Sequence, residues 1–207
     1  ADGASYPYTY RALHAKALAG AGRLREANVG PGDIVALFGR HDADLVTGFL
    51  AVLLVGATPT IGPYRSAFNH VEVYRQRLME IARSAGAKAI LTEPDTLSWL
   101  AGQAAGTALL GISPTTGEDV AGACPNILPS PSSPAYIQFS SGTTGRAKGT
   151  VVSHAAIVAH LNQHIRVHRL DEPSVLVGWV PFNHDLGLVS YLLTPLACGV
   201  PVVTIPP

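Results

Sequence analysis

Two short runs, Ile34-Val35-Ala36-Leu37-Phe38 and Ala89-Ile90-Leu91, are apolar at every position. A strand with one wet face alternates apolar and polar residues. A strand apolar throughout is covered on both faces. Such strands, alternating with helices, predict an α/β fold with parallel or mixed sheets covered by helices.

The intervening segments have helical periodicity. Tyr10 to Ala27 repeats Leu13, Ala17, Ala21 and Leu24 on one face, with Thr9 placed to cap it. Asp42 or Asp44 caps a second helix through Leu54, and a third runs from Val71 to Ala85 and stops at Gly86. Ala57 to Ile61 reads as a strand weakened by Pro59, Asp95 to Ala105 as a helix, and Leu109 to Ile112 as a strand. Five prolines interrupt Ser113 to Pro134, which reads as a connector. It divides the chain into a first α/β subdomain (1–112) and a second segment (135–207). The second segment has strands at Ala135 to Phe139, Thr150 to Val152, Val175 to Val180 and Val202 to Ile205, a helix after Ser153 and another from Leu188 to Cys198.

Composition narrows the function. Lys+Arg and Asp+Glu are equal at 14 each, so no basic excess is available for nucleic acid. With 47% hydrophobic and 14% charged residues, the chain has the reverse of a disordered composition. The most apolar stretch, Leu45 to Ile61, is shorter than the ~20 residues of a membrane span and is broken by Gly48, Gly56 and Pro59. No basic n-region followed by an apolar h-region opens the sequence, so no secretory signal is expected. Cys124 and Cys198 form neither a disulfide framework nor a metal motif, so reduced, mostly buried thiols in a cytoplasmic protein are expected.

The most informative segment is Ser140-Ser141-Gly142-Thr143-Thr144-Gly145-Arg146-Ala147-Lys148-Gly149. Its glycines let backbone N–H groups approach an anion, its four hydroxyls add donors, and Lys148 supplies a mobile positive charge. That is a polyphosphate cradle. It is not a Walker loop, because Ala147 precedes the lysine and a strand follows. The second segment is Trp179-Val180-Pro181-Phe182-Asn183-His184-Asp185-Leu186-Gly187-Leu188. It follows a strand, so a sheet can deliver it to a carboxyl edge. His184 can donate a hydrogen bond to a carboxylate or phosphate oxygen, and Gly187 allows close approach of a substrate chain.

The ten-residue loop resembles the phosphate-binding signature of the AMP-forming adenylate superfamily, with Ala147 where Pro is usual. Trp179-x-Pro181-x-x-His184-Asp185-x-Gly187-Leu188, followed by Pro195-Leu196-x-x-Gly199-x-Pro201, is similar to the matching stretch of fatty-acyl-AMP ligases. Val152-Ser153-His154, Gly30-x-Gly32-Asp33 and Gly56-Ala57 extend the resemblance over nearly the whole chain. It implies part of the N-terminal domain of the adenylate-forming fold. The implied reaction converts a carboxylic acid, here a fatty acid, to an acyl-adenylate with ATP and Mg2+. The acyl group then passes to the phosphopantetheine thiol of an acyl carrier protein. Ser140, Ser141, Gly142, Thr143, Thr144, Gly145, Lys148 and Gly149 are the expected nucleotide contacts. His184 and Lys148 are the expected catalytic residues, and Phe182, His184, Asp185 and Gly187 the expected substrate contacts. No residue is assigned to a metal.

Members of that family are more than twice this long. Their ribose-binding Asp and their C-terminal catalytic Lys have no counterpart here, and the final strand is followed only by Pro206-Pro207, so the chain alone is expected to be inactive. A CoA ligase, an amino-acid-adenylating domain and a non-catalytic interaction module with the same fold are the alternatives. His160, His164 and His168 recur every four residues and are expected as a solvated polar stripe. Trp99, Tyr64 and Phe68 are expected as packing residues.

Overall fold

The structure is a computed structural model that describes residues 7–63, 70–103, 106–112, 127–140 and 148–205. The first half runs α1 (Tyr10–Glu26), β1 (Ile34–Phe38), α2 (Ala43–Leu54), β2 (Thr58–Ile61), α3 (Val71–Ala85), β3 (Ala89–Thr92), α4 (Pro94–Leu100) and β4 (Ala108–Gly111). The four strands form one parallel sheet in the order β2-β1-β3-β4. Its two faces account for the continuous apolar runs. Val35, Leu37, Ala89 and Leu91 point into one cluster with Ala21 and Leu24 of α1 and Leu45, Phe49 and Val52 of α2. Ala36, Phe38 and Ile90 point the other way, into a second cluster with Tyr74, Leu78 and Ile81 of α3 and Leu100 of α4.

Local chemistry sets the element ends. Thr9 Oγ1 accepts from Ala12 N–H at 3.1 Å, and Asp42 Oδ1 accepts from Asp44 and Leu45 at 3.0 and 3.1 Å. α3 ends at Gly86, whose φ is 65°. Pro59 is compatible with β2 because Thr58 N–H donates to Asp33 O and Gly62 N–H to Leu37 O. The even-numbered amides therefore face β1, and the missing donor of Pro59 points away from the ladder. α4 ends at Leu100 and so is shorter than the expected helix; residues 104 and 105 lie outside the described residues. Trp99 packs under the Arg75 guanidinium at 4.4 Å, whereas Tyr64 and Phe68 lie outside the described residues.

Residues 113–126 of the expected connector also lie outside the described residues, Cys124 among them. The remainder holds the next half in place. Pro131 and Ser133 carbonyls accept from Ala155 and His154 N–H, two of the orphan donors at a helix start. The second half consists of β5 (Pro134–Ser140), β6 (Lys148–Ser153), α5 (His154–His168), β7 (Leu176–Gly178), α6 (Asp185–Leu188), a π-helical turn (Val189–Leu193), α7 (Thr194–Cys198) and β8 (Val202–Thr204). β5 and β6 are antiparallel, and β7 and β8 are parallel. The helix expected from Leu188 begins three residues earlier, at Asp185, because His184 takes the cap position. β7 is shorter than the expected 175–180, since β8 offers only three partners.

Ala135, Tyr136, Ile157, Phe182, Leu188, Val189 and Leu192 join the cluster formed by α1, α2 and the sheet. The Tyr10 hydroxyl adds a polar tie across the whole chain, reaching Val200 O at 2.5 Å and Pro195 O at 3.0 Å.

Candidate functional site

β5 ends and β6 begins at a matched pair, Ser140 opposite Lys148. The segment between them, with Ser141, Gly142, Thr143, Thr144 and Gly145, lies outside the described residues. Ser140 and Lys148 are both exposed at the hairpin mouth. No ion pair among the described residues joins Lys148 to an acidic side chain. Gly149 faces the aromatic ring of Phe139. A Cβ at Gly149 would lie 2.9 Å from Ile137 Cγ2 and 3.0 Å from Phe139 Cζ, so a side chain there displaces the ring that flanks the mouth.

The second motif forms a turn closed by His184 N–H donating to Pro181 O at 2.9 Å. Gly187 stands directly beneath it. A Cβ at Gly187 would sit 2.1 Å from Pro181 O and 2.6 Å from Val180 O, so its missing side chain makes room for backbone of this loop. Phe182 was expected to contact substrate. Its ring is turned inward, 2% exposed, with its centroid 5.2 Å from that of His41. His41 follows β1, so Phe182 anchors the loop over the carboxyl end of that strand. There the sheet order reverses, with β2 on one side and β3 on the other, a common ligand position in open parallel sheets. Burial pushes the His41 pKa down from 6.5 to about 4, so the ring packed against Phe182 is neutral at physiological pH.

His184 and Asp185 remain at the surface. His184 Nδ1 lies 2.7 Å from Asp185 Oδ1, which also accepts from Leu186 N–H at 2.8 Å. Leu186 N–H also approaches Nδ1, at 3.3 Å, so that nitrogen is engaged within the loop and Nε2 is the atom available to a ligand.

One face of β5 brings the two motifs together. Strand alternation places Tyr136, Gln138 and Ser140 on the same side. Gln138 Nε2 donates to the Asn183 carbonyl. The Tyr136 hydroxyl has a raised pKa, first from burial and then from the negative charge of Asp185. The 183–185 loop thus runs beside the strand that leads to Ser140. Gln138 and His41 are the residues missed from sequence. The available signal for Gln138 was a single amide inside the apolar strand Ala135-Tyr136-Ile137-Gln138-Phe139.

The donor set at the hairpin mouth, a hydroxyl and an ammonium, suits phosphate oxygens. It supplies no carboxylate for a cation, and no three His, Cys, Asp or Glu side chains converge on a metal position among the described residues. His160 and His168 of the histidine stripe are exposed, as expected, and only the middle ring departs from that pattern. His164 is half-buried, with Nδ1 3.3 Å from Thr194 Oγ1 and Nε2 3.5 Å from Ser190 Oγ. Cys198 is a free, half-buried thiol donating to Thr194 O at 3.1 Å. No helix among the described residues is long and apolar enough to cross a membrane.

The protein-family model for AMP-binding enzymes matches residues 2–207. A putative acyl-CoA synthetase of Caulobacter vibrioides is 32% identical over 203 residues, 95% of this chain and 35% of that protein. A medium-chain-fatty-acid–[acyl-carrier-protein] ligase, TtuA of Teredinibacter turnerae, is 41% identical over 66 residues, 32% of this chain and 10% of that protein. Among solved structures, a fatty acid AMP ligase from Legionella pneumophila superposes with a TM-score of 0.89 at 22% identity, covering 100% of this chain and 36% of its own. The chain spans about a third of the length of the Caulobacter relative.

Proposed function

Because this chain belongs to the AMP-binding enzyme family, we propose that it is the N-terminal part of a ligase that activates a fatty acid as acyl-adenylate for transfer to an acyl carrier protein. What carries this reading is the face of β5, which sets the hairpin mouth beside the His184 loop. Ser140, Ser141, Gly142, Thr143, Thr144, Gly145, Lys148 and Gly149 would hold the β- and γ-phosphates of ATP through amides, hydroxyls and the ammonium. His184 in its imidazolium form, paired through Nδ1 with Asp185, would donate from Nε2 to the carboxylate or the α-phosphate. A carboxylate oxygen then bonds to the α-phosphorus as the bond to the β-phosphate bridging oxygen breaks, and pyrophosphate leaves. Lys148 stabilises charge as it moves onto that leaving group. Magnesium would come with the nucleotide, held by phosphate oxygens and neutralising their charge. Phe182 and Gly187 seat the loop that carries His184. The 1–112 and 135–207 segments would act as two parts of one nucleotide-binding domain. The activity would be cytoplasmic, where ATP and reduced pantetheine thiols coexist.

The carrier-protein acceptor is favoured by the named activity of the Teredinibacter relative. The Caulobacter relative, similar over 95% of the chain, carries an acyl-CoA synthetase name and favours CoA as the second reading. In the full-length protein with ATP, Mg2+ and a panel of acids, pyrophosphate release is expected with fatty acids and is expected to fall about 10²–10³-fold in Lys148→Ala. Transfer to holo carrier protein but not to CoA identifies the acceptor. Residues 1–207 alone should release none. Sustained, Lys148-dependent release from them would contradict that assignment, and unchanged release in full-length Lys148→Ala would remove the phosphate role.

A further inference from the structure

We propose that Gln138 is the positioning residue that fixes His184 relative to the phosphate hairpin, an inference that rests on the adenylation reading above. The peptide unit joining Asn183 to His184 is held at both polar atoms. Its carbonyl accepts from Gln138 Nε2, and its N–H donates to Pro181 O at 2.9 Å. With both ends pinned, the direction in which His184 leaves the backbone is set from β5. Gln138 pairs with Thr150, and the next pair but one along the ladder is Ser140 with Lys148. Two residues of strand span roughly 6.6 Å. One side chain therefore gauges the separation of the imidazole from the first hydroxyl and the ammonium of the phosphate hairpin. The bond is made to a backbone carbonyl, so it is indifferent to the side chain at 183.

Two variants separate this role from simple packing. Gln138→Leu keeps the volume and removes the donor. Gln138→Glu keeps the shape, repels the Asn183 carbonyl when ionised and donates to it when protonated. In the full-length protein, Gln138→Leu is expected to lower the rate of adenylation about 10–100-fold, with the KM for ATP within about twofold. Gln138→Glu should recover towards wild type as pH falls, which packing alone would not produce. In parallel, the His184 ring resonances of this chain should shift in Gln138→Leu. Wild-type adenylation rates in Gln138→Leu, with or without that shift, overturn the proposal. So does an equal, pH-independent loss in both variants. If wild type adenylates no acid, the functional reading fails. The ring resonances then decide the geometric part alone, with a shift supporting it and no shift overturning it.

Discussion

At the scale of single residues, His41 couples the site to acidity. Burial holds its pKa near 4 against an ordinary 6.5. On acidification the unfolded chain binds the proton first, so stability present above pH 6.5 is lost as pH falls towards 4. We expect about 2 kcal/mol of that loss between pH ~7.5 and ~5, measured as a lower urea midpoint. His41→Gln should remove this increment. Asp42, whose pKa burial raises, pulls in the opposite direction and remains in both proteins. If the variant and wild type lose stability equally over that interval, His41 is not the group responsible. Neither His41 nor Gln138 could be assigned from sequence. Each takes its role from a partner more than 40 positions away, and a lone polar residue beside an apolar strand does not say which loop it meets. Gly187 shows the same limit. The sequence announced that a Cβ was unwelcome, and only the fold shows that the space belongs to the Pro181 carbonyl.

At the scale of elements, periodicity and caps located every helix and strand of the first half among the described residues, since β1, β2 and β3 are buried on both faces and the helices carry regular apolar stripes. Some of the lengths that differed were set by partners or caps. β7 extends only as far as β8 pairs with it, and the helix at 185–198 carries a π-helical turn that no pattern of hydrophobicity distinguishes from α. That turn has a specific support. Thr194 is fully buried and its Oγ1 donates to Val189 O at 2.7 Å, while His164 Nδ1 lies 3.3 Å from that Oγ1. Thr194→Val keeps the shape and removes the hydroxyl's bond to the Val189 carbonyl, which still accepts from Thr194 N–H, so a cost of about 1 kcal/mol in thermal or urea unfolding is expected. Thr194→Ser should retain most of the stability. Equal losses in the two variants would assign the effect to the methyl group and not to the hydrogen bond.

At the scale of the whole molecule, the two halves share one apolar cluster that takes in Ala21 and Leu24 at one end of the sequence and Leu192 at the other. The sequence made the proline-rich segment legible as a break in the pattern. It could not show that one core is shared by the residues before and after that break, because long-range packing leaves no periodic trace. Tyr10 makes that closure measurable. Its hydroxyl meets the carbonyls of Val200 and Pro195, and burial together with the nearby Cys198 raises its pKa. Tyr10→Phe should cost about 1 kcal/mol and speed amide exchange around Gly199, far along the chain from the substitution. Unchanged exchange at Gly199 would show that the hydroxyl does not tie the two ends.

The same latch imposes an order of events on the ribosome. Tyr10 leaves the exit tunnel long before its acceptor at Val200 has been translated, an interval on the order of ten seconds or more at ordinary elongation rates. Through that wait the nascent first helix can lean on α2 and on the strands of the first sheet, and its polar tie forms only after residue 200 arrives.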